Sequence, residues 1–423
     1  MSLGCLRCAR EYPEPALELL GAGCPACAAD GVPANVLPVL DIAGLRREPP
    51  ALPRSPGEPG LFVHRELLPL DPGTPAVSLG EGGTPVVDLP ELARGVGVAR
   101  LLVKDETRNP TWSYKDRLAA VSVTKATELG VDTVVVCSTG NHGAAVAAYA
   151  ARAGLRCVVL TLASVPQAMK TLMGVYGATV AALRTGPERW ALMRELVAER
   201  GWMPMSGHAD PPVGSPSYGI DGYKTIAYEL FEQLPGVPDV VVVPTAYADG
   251  LTGIARGFDD LCTLGLADRV PRLLAAEPFG PLRSALAAGT ERAGPVPAAP
   301  SVSFSIASPV GTYQGLRALR RSGGGAVAVP DDETVLAAQR RLGRHGLYLE
   351  ASSAITLPAL EAWQRAGLVG PEDTVVLVGT STGLKDVGAT AAGLPAVPLI
   401  EARPEALDTV LERADAPLAR QAP

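Results

Sequence analysis

Lysine is nearly missing from this chain. Of 37 lysines and arginines in 423 residues, only Lys104, Lys115, Lys125, Lys170, Lys224 and Lys385 are lysine, which leaves 31 arginines to carry the remaining positive charge. Arginine solvates a surface but cannot lose its proton to attack a carbonyl, so any imine chemistry must fall on one of six positions. A basic excess is also lacking: the net charge is −7 and the pI about 5.3, which excludes a nucleic-acid-binding face as the main business of the protein. No run reaches the roughly 18 to 20 apolar residues that a membrane span needs, and "MSLGCLRCAREYPEP" has no signal-peptide core, so a soluble, cytoplasmic protein is expected. Nor does any G-x-G-x-x-G open a strand–turn–helix unit, which argues against a dinucleotide fold.

What is present is 47% hydrophobic residues, enough for two packed domains and an appendage. Cys137, Cys157 and Cys262 sit singly among apolar neighbours and read as inert thiols. The other four cysteines form Cys5-x-x-Cys8 and Cys24-x-x-Cys27, two knuckles whose spacing suits one tetrahedral zinc ion with no open coordination position. That predicts a structural zinc ribbon remote from chemistry.

From residue 98 onward, β-branched runs alternate with helical segments: "ARLLVKDE", "DTVVVC", "LRCVVLTL" and "ATVAAL", then "PDVVVVP", "PRLLAAEP" and "TVVLVG". Continuous apolar strands each followed by a helix predict parallel sheets flanked by helices, and the irregular "WMPMSGHADPPVGSPSYGI" divides them into two lobes. The expected division is a zinc-ribbon-like knuckle at 1–40, a large lobe from 41–105 and 203–403, a small lobe at 106–202, and a tail at 404–423.

Four segments carry candidate chemistry. "NPTWSYKDR" predicts a helix with Ser113 as N-cap and Asp116 completing a capping box, which sets Lys115 in the first turn beside the positive end of the helix dipole. "CSTGNHG" places Ser138, Thr139, Gly140, Asn141 and His142 at a strand-to-helix turn suited to an anion. "VVVPTAYADGL" repeats that arrangement with Thr245, Ala246, Tyr247, Ala248, Asp249 and Gly250. "VVLVGTSTGLKD" ends a strand in Thr380, Ser381 and Thr382, hydroxyls able to hydrogen-bond a ring nitrogen. Strand-end loops gathered around one lysine predict a combined site at the strand C-termini.

In order along the chain, "SLGEGGTPVVDLPEL", "VKDETRNPTWSYKDR", "CSTGNHGAAVAAYAARAGL", "DGYKTIAYEL", "GLYLEASSAITLPAL" and "VGTSTGLKD" resemble threonine synthase, of the tryptophan-synthase-β-like (fold type II) enzymes that use pyridoxal phosphate. The resemblance spans nearly the whole chain. It implies that Lys115 holds pyridoxal phosphate through its amine and moves protons, that Asn141 contacts the cofactor's 3′-oxygen, that the 245–250 loop holds its phosphate, and that Thr380 hydrogen-bonds its ring nitrogen. Residues Ser138 to His142 would then receive the carboxylate of an amino-acid substrate. A homodimer and elimination or replacement at Cβ or Cγ are implied, with O-phosphohomoserine conversion to threonine and phosphate the nearest activity. An ammonia-lyase of the threonine dehydratase type, a β-replacement enzyme of the cysteate synthase type and a non-catalytic module of the same fold are the alternatives. The chain departs from the pattern at Trp112, where the family has glycine and where an indole would reshape the substrate pocket, at Asp249 in the phosphate loop, and at Gly219, where the family has a phosphate-binding arginine.

Overall fold

In the computed structural model, residues 1–13, 15–165 and 167–418 are described. Thirteen strands are defined among them: β1 (Leu3–Cys5), β2 (Glu11–Tyr12), β3 (Val36–Pro38), β4 (Val86–Asp88), β5 (Arg100–Asp105), β6 (Thr133–Cys137), β7 (Arg156–Leu162), β8 (Thr179–Leu183), β9 (Met203–Pro204), β10 (Val240–Pro244), β11 (Arg272–Glu277), β12 (Gly325–Ala328) and β13 (Thr374–Gly379). They form three sheets. A small antiparallel one, β2-β1-β3, carries the cysteine knuckles; a four-stranded one runs β8-β7-β6-β9; a six-stranded one runs β12-β11-β10-β13-β5-β4. The four-stranded sheet is wholly parallel, and the larger is parallel except for β4, which pairs antiparallel to β5.

The valine runs take the central positions because a central strand of a helix-covered sheet has no wet face. Val240 to Val243 in β10, Val134 to Val136 in β6 and Val375 to Val378 in β13 are all fully buried. By contrast β8 lies at an edge and exposes three of its five residues. These sheets and the residues up to Asp386 make one compact unit; Val387–Pro423 makes a second, with helices Val387–Ala391 and Pro404–Leu418.

All seven strands read from the sequence are present as β5 to β8, β10, β11 and β13. The capping box is not. The helix begins at Lys115 with Tyr114 at its N-cap and no side-chain cap; the Ser113 hydroxyl is buried without a partner, and Asp116 instead accepts from the backbone N–H of Thr111 at 2.6 Å and from the Thr111 hydroxyl. The carboxylate is captured by the turn before the helix, so Ser113 has nothing to exchange with. An antiparallel bridge between Ser113 and Ser381 takes the place of the cap.

Candidate active site

Three parallel strands end at one cavity of about 360 Å³. From β6 come Ser138 to His142, from β10 come Ala246 to Gly250, and from β13 comes Thr380; Tyr114 and Lys115 complete the wall on this side. Parallel strands all present their C-terminal ends to the same edge, which is why ligands of such folds collect there. The backbone N–H of Tyr114 donates to the Thr380 carbonyl at 2.9 Å, so the start of the lysine helix is tied to the end of β13. The Lys115 amine lies 4.7 Å from the Tyr114 ring centre and 5.5 Å from that of Tyr223.

Each strand-end loop has its own construction. Gly140 caps the helix Asn141–Ala153, and the Ser138 hydroxyl accepts from the N–H groups of Gly140 at 3.2 Å and Gly143 at 2.8 Å, closing the turn on itself. Asn141 donates to the Glu350 carboxylate at 2.9 Å and accepts from Lys385 at 2.8 Å. Burial pushes the Lys385 amine down to about 8, with Glu350 and Asp116 pulling the other way. His142 has a buried Nε2 without a partner. Burial and the neighbouring Lys115 charge push it down to about 3, so it stays neutral beside the lysine.

In the second loop Ala248 has φ +64°, a left-handed conformation that brings the chain into the helix Asp249–Thr263. The Asp249 carboxylate does not stand free against an incoming anion. It accepts from the N–H of Ser215 at 2.8 Å, its hydroxyl at 2.6 Å and the Gln314 amide at 2.8 Å. Thr380 shares a 2.6 Å hydrogen bond with Ser353.

Thr245, Trp112, Ser381 and Thr382, all singled out in the sequence, are not on this wall. Thr245 donates its hydroxyl to the Val243 carbonyl at 2.8 Å and faces back along the strand. Trp112 is 47% exposed with its indole away from the cavity, so it does not narrow the pocket; its backbone has φ +60°, the left-handed region that explains why glycine suits this position. Cys137, read as an inert core thiol, does line the cavity, although burial pushes its thiol up to about 12.

Sequence reasoning missed the support beneath Lys115. Arg117, fully buried, donates to both oxygens of Glu106 at 2.7 and 2.8 Å and both oxygens of Glu229 at 2.6 and 2.7 Å, and Lys104 adds a 2.6 Å ion pair to Glu229. Burial opposes the Glu229 charge, but Arg117 and Lys104 outweigh it and hold the carboxyl below its ordinary range. The arrangement is charge-neutral and sits two residues from the lysine on the same helix. It also missed Arg189, Ser206, Ser215 and Ser305, which line the cavity from segments without a recognisable motif.

At the other end of the chain the four knuckle sulfurs lie within 4.8 Å of one another, Cys5 to Cys27 at 3.5 Å and Cys8 to Cys24 at 3.7 Å. A tetrahedron built on metal–sulfur bonds of roughly 2.3 Å has edges of about 3.8 Å, so the group fits one zinc ion, and these separations are far too long for disulfides. The knuckle region also braces the cavity: the Gly21 carbonyl accepts from the N–H of His208 at 3.0 Å, and the Asn35 amide donates to the Ser215 carbonyl at 3.0 Å.

A family model described as pyridoxal-phosphate dependent enzyme matches residues 77–381, the span that holds every wall of this cavity. The chain belongs to the pyridoxal-phosphate dependent enzyme family. Within that family it is similar to threonine synthase of Methanosarcina acetivorans, 36% identical over 78% of this chain and 80% of the relative, and to threonine synthase of Mycobacterium bovis, 31% identical over 85% and 97%. Among solved structures, a pyridoxal 5′-phosphate-dependent aspartate racemase covers 72% of this chain and 92% of its own at a TM-score of 0.60 and 24% identity. Diaminopropionate ammonia lyase from Escherichia coli covers 76% and 91% at a TM-score of 0.62 and 18% identity. The structural likeness places the fold among the type II enzymes, and the sequence relatives make this a pyridoxal-phosphate-dependent lyase of the threonine synthase type, working by elimination or replacement at Cβ or Cγ of an amino acid.

Proposed function

We propose that Lys115 holds the cofactor and serves as the proton-transfer group of a threonine-synthase-like reaction, in which a β- or γ-substituent of an amino acid is expelled and water or another nucleophile takes its place. The observation that carries this reading is the meeting of the Lys115 amine, the two helix-start turns and the Thr380 hydroxyl in one cavity. The residues present fit the cofactor. The loop Ala246–Gly250 and the helix start at Asp249 offer N–H groups to its phosphate, and the Asp249 carboxylate is already satisfied from Ser215 and Gln314. Asn141 would contact the cofactor's 3′-oxygen, with its amide orientation fixed by Lys385 on the oxygen and Glu350 on the nitrogen.

When bound, pyridoxal phosphate draws electron density from Cα of an amino acid joined to it. Around it, the Ser138–His142 turn orients the substrate carboxylate, and Lys115 takes and returns protons at the carbons next to it. Thr380 offers a hydroxyl rather than a carboxylate to the ring nitrogen; that leaves the nitrogen without a proton and favours elimination and replacement over transamination. The nearest named activity is formation of threonine and phosphate from O-phosphohomoserine. Gly219 supports a substrate held differently from that of the family, because no side chain is available there to meet a phosphate.

The test is an absorbance titration of the purified protein with a panel of amino acids, read beside phosphate release. Perturbation of the lysine-bound cofactor spectrum by an amino acid, with release of its substituent in wild type and not in Lys115→Ala, supports the reading. A spectrum identical in Lys115→Ala overturns it. A structural zinc on Cys5, Cys8, Cys24 and Cys27 and a homodimer belong to the same proposal; metal analysis at one zinc per chain and light scattering at twice the chain mass are the corresponding checks.

A further inference from the structure

The helix Gly186–Arg200 is fixed at its start by a capping box, Thr185 with Glu188, and buries Arg189, Met193 and Val197 at four-residue intervals. That stripe faces the four-stranded sheet, so the helical period gives position 189 to the interior. Yet the residue there is an arginine. It is 9% exposed, its side chain forms part of the cavity wall, and its Nε is buried without a hydrogen-bond partner.

No carboxylate among the described residues pairs with it; the groups acting on its charge are Cys137 and Tyr247. Burial pushes the guanidinium below its ordinary value, as for a cation left without a counterion. A buried charge in that condition is strongly unfavourable, and it persists in a binding site when a ligand supplies the opposite charge. The neighbouring wall is polar and small. The Cys137 thiol donates to the Arg189 carbonyl at 3.4 Å, and the Ser206 hydroxyl accepts from the Cys137 N–H at 2.9 Å and donates to the Met193 sulfur at 3.6 Å.

In the reading given above, the cavity has two other places for negative groups. The helix start at Asp249 takes the cofactor phosphate, and the helix start at Asn141 takes the substrate α-carboxylate. Arg189 is left over. The position where the family resemblance expects an arginine cannot compete: a Cβ on Gly219 would stand 2.2 Å from the Ser122 hydroxyl and 2.8 Å from Leu118 Cγ, inside a fully buried helix contact.

We infer that Arg189 determines substrate specificity by binding an oxyanion at the far end of the substrate's side chain, so that the enzyme acts on an acidic amino acid held from the small-sheet wall. Phosphate, carboxylate and sulfonate share the required chemistry, since a guanidinium grips any of them through two parallel N–H donors. The inference rests on the pyridoxal-phosphate reading of the cavity.

The experiment titrates holoenzyme spectroscopically with phosphohomoserine, phosphoserine and aspartate, and with homoserine and serine as uncharged counterparts. Wild type is expected to bind at least one acidic member more tightly than its counterpart. Arg189→Gln should weaken that member by about 10- to 100-fold, the worth of a charge-assisted hydrogen bond, while leaving the uncharged compounds and cofactor retention unchanged; Arg189→Lys should restore part of the loss. The melting temperature of ligand-free Arg189→Gln should equal or exceed that of wild type, because an unpaired cation has gone. Equal losses for charged and uncharged compounds would assign Arg189 to the α-carboxylate, and loss of cofactor would assign it to the cofactor phosphate; either overturns the inference. So does a wild type that does not prefer any acidic compound. Absence of lysine-bound cofactor from wild type would bring down the underlying reading as well, whereas with the cofactor in place only the assignment of Arg189 is at stake.

Discussion

Replacing Arg117 by methionine removes a guanidinium while keeping most of its volume, and the structure allows its cost to be worked out. Arg117 makes six hydrogen bonds: two to Glu106, two to Glu229, one to Thr84 at 3.1 Å and one to Thr225 at 2.8 Å. After the change Glu229 keeps Lys104 at 2.6 Å, but Glu106 keeps only neutral donors, the Thr84 hydroxyl at 2.6 Å and the Asn109 amide at 2.8 Å. A fully buried carboxylate in that state has lost its countercharge, and removing one partner of a buried pair costs about 3–5 kcal/mol. Against a total stability of roughly 5–15 kcal/mol this is a large loss. The cost has a pH signature. Glu106 can escape it by taking a proton, so Arg117→Met should be most destabilised above neutrality and less so toward pH 5, and Glu106→Gln in the same chain should recover part of the loss. Urea unfolding followed by fluorescence at pH 8 and pH 5.5 measures this directly. A loss below about 1 kcal/mol, or one that does not change with pH, would refute the argument that the network is held by paired buried charge.

Trp112 and Ala248 hold left-handed backbone at φ +60° and +64°, so Trp112→Gly should raise stability by about 1 kcal/mol, read as an increase in melting temperature. His208 is buried and pushed down to about 4 from 6.5, chiefly by desolvation, so the unfolded chain takes a proton that the folded one refuses; stability should be complete above pH 6.5 and fall as the pH drops toward 4, with a shallower slope in His208→Phe. Cys24→Ser should remove bound zinc by metal analysis and lower the melting temperature. It should also raise KM more than it lowers kcat, because Asn35 holds Ser215 of the cavity wall and Gly21 holds His208, which lies between the wall residues Gly207 and Ala209.

The strands were legible because burial on both faces leaves no choice of residue: Val240 to Val243 can only be a central strand. The shorter β12, "GAVA", was not, since glycine and alanine carry no β signal and the strand is placed by pairing with β11. Lys115 and its partner turns were readable as local patterns. The capping box failed for a local reason, because Asp116 had a nearer donor in Thr111 than any sequence rule counts. Arg117, Glu106, Glu229 and Lys104 lie on four separate elements, and the ion network they make is a property of tertiary contact alone. Arg189 left a trace that a stricter reading of periodicity would have caught: a charge at an interior position of an amphipathic helix, in register with Met193 and Val197.

The central claim is that one lysine of six carries the cofactor. Reduction of the purified holoenzyme with borohydride fixes a lysine–cofactor link, and peptide mapping then finds which residue bears the added mass. Label confined to the peptide containing Lys115, and missing from Lys115→Ala, is the expected result. Label on Lys385, the lysine that reaches Asn141, or no label on any lysine despite retained cofactor, would contradict it.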